Sequence, residues 1–219
     1  MKILCIDTSS NLCSTAVLED TKLIKKIELD NGLTHSESLM PTINSLLNSL
    51  SLSLNDIGLI VTDIGPGSFT GIRIDVATAK AFSDSLNIPT IGISSLEVLA
   101  YQIKENGLVC STIDCKNDNC YFALYEFKNG SYIEVESPCA KSKQEVLNLL
   151  NEKYADKNIR FVGNGIPKKS NDFYLDIYNL GIAGFKKFVK NNNKGEEILP
   201  LYLRKPQAQR QLEQKQTLK

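Results

Sequence analysis

The sequence predicts an α/β fold, and three features of its 219 residues carry that reading. The chain opens on three short runs rich in Ile, Val and Leu, parted by turn residues. Apolar runs of strand length then alternate with segments whose apolar residues recur every three or four positions. Between one such strand and one such helix stands Gly65-Pro66-Gly67-Ser68-Phe69-Thr70-Gly71, a tight glycine-rich turn at a helix N-terminus.

Lys2–Asp7, Cys13–Glu19 and Lys22–Leu29 are the predicted opening strands, with turns at Ser9-Ser10-Asn11 and Asp20-Thr21. A helix is predicted from Ser36 to Leu50, because Leu39, Ile43, Leu46, Leu47 and Leu50 share one stripe. Strand Ile57–Asp63, helix Thr70–Leu86, strand Pro89–Ile93 and helix Leu96–Ile103 complete a first unit, residues 1–104. The second unit, 105–205, starts with strand Leu108–Asp114, a polar turn, and strand Tyr121–Phe127. Asn129-Gly130 is a hairpin signal leading to strand Tyr132–Val135. Helix Lys143–Lys153 and strand Arg160–Val162 follow, ending at Gly163-Asn164-Gly165. Tyr174–Tyr178 reads as a further strand and Leu180–Lys190 as a helix stopped by Asn191-Asn192-Asn193. Residues 206–219 form a polar tail, a free end or a segment docked on a partner.

The glycine-rich turn has two readings. A helix N-terminus after such a turn points backbone N–H groups and a positive dipole at an anion, with Ser68 or Thr70 as N-cap. The same glycines also let a helix pack tightly on a sheet, and no Walker-type Lys follows Gly71. Asp7-Thr8-Ser9, at the end of the first strand, likewise fits either a metal-bridged phosphate loop or a turn whose amides those side chains satisfy. Asp63, Asp75 and Asp84 cannot be paired as acid and base from sequence, and are read as solvated carboxylates. Arg73, one turn into the helix, can hold an anion, a partner carboxylate or a loop carbonyl.

Composition narrows the classes. Lys+Arg and Asp+Glu each count 25 and there is one histidine, so the chain is neutral and has no overall basic field to draw nucleic acid. His35 is that histidine; Leu39 stands where a second ligand would share its helical face, so no metal site is expected. Cys110, Cys115 and Cys120 lack C-x-x-C spacing, and Cys5 and Cys13 sit in strand-like runs, so reduced structural thiols are expected. No stretch approaches 18 apolar residues and Met1-Lys2-Ile3 enters a strand directly, which gives a cytoplasmic, membrane-free expectation.

Five segments together resemble one family. They are Ile3-Leu4-Cys5-Ile6-Asp7-Thr8-Ser9, His35-Ser36-Glu37-Ser38-Leu39-Met40-Pro41, the glycine block through Ile74, Pro89-Thr90-Ile91-Gly92-Ile93-Ser94-Ser95-Leu96, and Pro200-Leu201-Tyr202-Leu203-Arg204. In this order, over residues 3–204, they resemble the TsaB (YeaZ) family of tRNA threonylcarbamoyladenosine biosynthesis. The resemblance implies the actin-like (ASKHA) fold related to M22 peptidases, two tandem ribonuclease-H-like subdomains with the second degenerate. It implies a non-catalytic scaffold for the transferase TsaD, which modifies the adenosine 3′ of the anticodon. TsaE would join as ATPase, TsaC would supply the adenylate, and tRNA would be met only through the complex. In this sequence Asp114-Cys115-Lys116 replaces the family's Asp-Ala-Arg, which weakens any ligand role there.

The resemblance also implies that the two helices after the hairpin pair with TsaD, and with a second copy in its absence. The expected interface is Leu39, Met40, Ile43, Leu46, Leu47, Arg73, Ala77 and Ala81, the alanines admitting a helix closely. From pattern alone, packing inside the chain explains the same apolar residues. Asp7, Thr8, Ser9, Gly65, Gly67, Ser68, Thr70 and Gly71 are expected to form a vestigial phosphate or nucleotide site, with no resident cofactor and at most weak nucleotide binding at the joint with TsaD. The rival readings are a metal-dependent glycopeptidase and an actin-fold phosphotransferase.

Overall fold

The computed structural model describes residues 1–30, 34–167, 169–170 and 174–204, so the tail expected at 206–219 lies outside the described residues. Strands β1 (Lys2–Asp7), β2 (Cys13–Glu19) and β3 (Lys22–Leu29) form an antiparallel meander with the bounds the sequence predicts. Their turns fall where short polar residues interrupt the apolar runs, which is why these bounds were legible. Strands β4 (Leu59–Gly65) and β5 (Thr90–Ser94) add in parallel, giving the order β3-β2-β1-β4-β5. That mixed order is the ribonuclease-H-like arrangement expected for the first unit.

Both faces of this sheet are covered, so β1 is apolar from Ile3 to Ile6. Leu4 and Ile6 face helices α1 (His35–Ser49) and α2 (Phe69–Leu86), in a core with Leu39, Ile43, Leu46, Leu47, Ile72, Val76 and Ala79. Ile3 and Cys5 face the opposite core with Leu96 and Leu99 of α3 (Ser95–Ala100) and Ile177, Leu180 and Ala183 of α5 (Ile177–Lys190). That second core continues to Val109, Ala123 and Val162 of another sheet, so α3 and α5 lie between two sheets.

The second sheet has the order β8-β7-β6-β9, built from β6 (Gly107–Asp114), β7 (Asn119–Lys128), β8 (Ser131–Ser142) and β9 (Ile159–Gly163). Its far face carries α4 (Lys143–Tyr154), through Val146 and Leu150 against Phe122 and Leu124. Among the described residues it has no counterpart of β5, which is the degeneracy expected of the second unit.

Several boundaries differ from the expectation. Strand β8 runs to Ser142 rather than Val135, because pairing with β7 continues through two register shifts that a search for simple alternation cannot follow. Residues 174–176 form no strand; the Asp176 side chain accepts from Tyr178 N and starts α5 three positions early. Part of the segment expected as the second unit, 105–205, also contacts the first sheet. Added Cβ atoms at Gly181 and Gly184 would lie 2.8 Å from Cys5 Sγ and 2.3 Å from Val61, so α5 packs directly on the first sheet. The segment after it stays there: Glu196 N donates to Thr90 O, and Leu201 N to Ile64 O.

Candidate functional site

At the end of β1 and β4 the chain must turn twice over a crowded spot. Ser68 caps α2, its Oγ accepting from Gly71 N at 3.2 Å, and Ser68 N donates to Ser9 O at 2.7 Å. The glycine loop therefore lies on the β1–β2 turn. A Cβ on Gly67 would sit 2.4 Å from Ser9 O, and one on Gly71 1.8 Å from Thr8 O. Those two positions are glycine because backbone meets backbone there.

Three buried carboxyls gather around this contact: Asp7, Asp63 and Asp75 are exposed by 2%, 1% and 0%. Asp7 Oδ1 accepts from Ser9 N at 2.8 Å. Asp63 Oδ1 accepts from Gly65 N at 2.6 Å and from Ser95 Oγ at 2.7 Å. Asp75 Oδ2 accepts from Thr8 N at 2.7 Å. Thr8 Oγ1 lies 2.7 Å from Asp75 Oδ1 and 2.9 Å from Gly71 O. The hydroxyl has one proton, so both contacts hold at once only when Asp75 carries a proton of its own. Burial pushes all three carboxyls up, and the charge on Asp7 raises Asp63 and Asp75 further, in agreement with that geometry. Asp63 and Asp75 are thus not the solvated groups expected, and only Asp84 of that set is exposed. A sequence clue to Asp75 existed: it lies one helical turn beyond Gly71, above the position that touches the sheet.

The structure brings together the residues expected for a phosphate site, and five of their backbone donors are engaged. Thr8, Ser9, Gly65, Ser68 and Gly71 all spend their backbone N–H groups on this chain's own oxygens. Thr70 is exposed at the loop's edge. His35 Nε2 lies 2.9 Å from Ser10 O, tying α1 to the same turn. Among the described residues no group of three or more His, Cys, Asp or Glu is arranged to hold a metal ion.

The expected interface residues divide by burial. Leu39, Ile43, Leu46 and Leu47 are at most 4% exposed and belong to the core beneath α1. They cannot face another molecule, since the sheet claims the stripe; the interface expectation is corrected on these four. Met40 is 41% exposed, and Arg73, Ala77 and Ala81 are exposed on α2. Phe69 and Tyr202, which the sequence reading left out, are 43% and 46% exposed beside Arg73. The outward face of α1 and α2 thus carries the small Ala77 and Ala81 among larger exposed side chains, with Arg73 and Lys80 as its cations. At its edge is a cavity of about 480 Å³ lined by His35, Ser36, Thr70 and Ile74 among others. No helix among the described residues is long and apolar enough to cross a membrane.

Comparison with known proteins adds four findings. The family described as "TsaD: tRNA N6-adenosine threonylcarbamoyltransferase" matches residues 31–210. A Bacillus subtilis protein named tRNA threonylcarbamoyladenosine biosynthesis protein TsaB is 36% identical over 165 residues, 75% of this chain and 71% of that one. A Buchnera aphidicola protein of the same name is 29% identical over 221 residues, 92% of this chain and 97% of that one. Among solved structures, YeaZ from Pseudomonas aeruginosa superposes with a TM-score of 0.78 at 23% identity, over 92% of this chain and 99% of that chain. Its likeness extends over the actin-like, two-sheet fold as a whole.

Proposed function

We propose, since the chain belongs to the TsaB family of tRNA threonylcarbamoyladenosine biosynthesis proteins, that its part in that pathway is to hold the transferase TsaD in its working geometry rather than to react itself. The observation that carries this is the glycine loop. In the loop the Gly65, Ser68 and Gly71 N–H groups are taken by Asp63, Ser9 and Ser68, and on the turn beneath it those of Thr8 and Ser9 by Asp75 and Asp7, so much of the place where an actin-fold enzyme would seat a phosphate is filled by the chain's own oxygens. At the same spot Asp7, the charge that raises Asp63 and Asp75, opposes an incoming polyanion. The partner is met by the face of α1 and α2, through Met40, Arg73, Ala77 and Ala81. TsaE joins the pair, and tRNA is held by the assembly, since a neutral chain supplies little phosphate attraction. Without TsaD the same face pairs two copies, and no cofactor is resident. The setting is the cytoplasm.

A packed helix pair can act at a distance because it biases which of two cleft geometries the catalytic subunit adopts. Reconstitution tests the reading. TsaD, TsaE and a source of threonylcarbamoyl-adenylate should turn over on tRNA many times with this chain and fail to do so without it. Full multi-turnover modification in its absence ends the scaffold reading.

A further inference from the structure

We infer that Arg73 is a preset anchor for a carboxylate on the partner protein, and that Tyr202 and Phe69 are there to aim it; this rests on the docking face proposed above. Arg73 Cζ lies 3.9 Å from the centroid of the Phe69 ring and 5.7 Å from that of Tyr202. Its Nε donates to Tyr202 Oη at 2.7 Å. The two rings are themselves 5.2 Å apart. A guanidinium held over two rings and fixed at Nε has lost most of its rotamer freedom before any partner arrives. Among the described residues its two terminal nitrogens have no carboxylate or carbonyl acceptor, so the part of the fork that binds an oxyanion is left open.

Tyr202 reaches this place from the far end of the chain. The segment that carries it is pinned to the first sheet by Leu201 N donating to Ile64 O, and to the second by Arg204 Nη1 donating to Cys115 O at 2.7 Å. The end of the described chain is therefore stretched across the mouth between the sheets with Tyr202 turned to α2. Holding one exposed arginine is what this arrangement does.

The surroundings select the kind of anion. Ala77 and Ala81 continue the stripe of Arg73 at helical spacing, and both are exposed. Small uncharged residues beside Arg73, with Lys80 two turns on set against Glu197 at 3.9 Å, suit an approaching helix that brings one acid. They do not suit a phosphate backbone, which is bound by several cations together. Glu37 and Asp84, exposed on the same two helices, would repel a polyanion. An Arg–carboxylate pair that is bidentate fixes both position and direction of the partner helix.

The test is the affinity of the cognate TsaD subunit for wild type, Arg73→Gln, Tyr202→Phe and Ala77→Arg, each at low and at high salt. Arg73→Gln should weaken binding about tenfold or more at low salt, one close ion pair being worth at least that factor, and should lose most of the salt dependence. Tyr202→Phe keeps the ring and loses the bond to Nε; it should weaken binding several-fold with the same loss of salt dependence, which a purely structural tyrosine would not produce. Ala77→Arg should abolish binding. Arg73→Gln binding like wild type at every salt, while Ala77→Arg does not bind, overturns the anchor and leaves the docking face standing. Wild-type affinity in Ala77→Arg overturns both. A loss in Arg73→Gln confined to binding of free tRNA also overturns it, because the anion would then be phosphate.

Discussion

Thr8 and Asp75 share a proton problem that fixes the state of the loop. Thr8 Oγ1 has two oxygen neighbours and one proton, and Asp75 Oδ2 already accepts from Thr8 N. A neutral Asp75 satisfies every atom. An amide reproduces these bonds, with one Nδ2 hydrogen in place of the carboxyl proton, so Asp75→Asn should fold about as well as wild type. Asp75→Ala leaves the buried Thr8 N–H without an acceptor and should cost about 1–3 kcal/mol. The same chemistry sets a pH dependence. Asp7, Asp63 and Asp75 all have folded-state values raised by burial, so protonation favours the folded chain. Their contribution is complete below the ordinary carboxylate range, about pH 4, and is lost as pH rises through the raised values. Thermal melts from mildly acid to alkaline pH should show the wild-type midpoint falling more steeply than that of Asp75→Asn; equal slopes would place the proton elsewhere.

Elements were legible wherever one residue pattern sufficed. The meander β1–β3 has turns of Ser, Asn, Asp and Thr between unbroken apolar runs, and its bounds follow directly. Helix α2 begins at a serine cap and continues with apolar residues at helical spacing. Strand β8 was less legible because Glu136 and Pro138 read as a loop, although an edge strand tolerates both. The start of α5 was hidden by Tyr174 and Leu175, which lie outside any helix or strand: Leu175 serves the core between the sheets, and the exposed Tyr174 donates its hydroxyl to Glu28. The glycine loop gives an element-scale prediction. Gly71→Ala places a Cβ 1.8 Å from Thr8 O, and neither backbone can move without breaking the Asp75 contacts. Destabilisation of about 2 kcal/mol or more is expected from denaturant unfolding, against little change for Met40→Gln on the exposed side of α1. A neutral Gly71→Ala would mean that the loop does not rest on the hairpin.

Whole-molecule behaviour depends on which side of each helix is left over. Sheet one takes Leu39, Ile43, Leu46 and Leu47 from α1, and Ile72, Val76 and Ala79 from α2. Ala77 and Ala81 remain outside, so Ala77→Arg or Ala81→Arg introduces no buried charge. Both variants should keep the wild-type melting temperature and lose association, with TsaD and with a second copy alike. Size-exclusion chromatography and melts on the same samples decide it. A lowered melting temperature with association intact would return those alanines to the core.

The sequence by itself determined the α/β class, the opening meander, the strand–glycine loop–helix unit and the family, because each is written in neighbouring residues: turn chemistry, apolar period and a block of motif residues in order. It located Asp7, Thr8 and the glycines as one site without showing what they hold. Tertiary structure decided that. Asp63 on β4 and Asp75 on α2 reach the β1–β2 turn only through the parallel pairing of β1 with β4 and the return of α2 onto the sheet. It also decided which half of each amphipathic helix is spent on this chain's core. Periodicity reports that a helix has an apolar side, whereas only the packed sheet shows how wide a stripe it covers and which small residues stay free for another molecule.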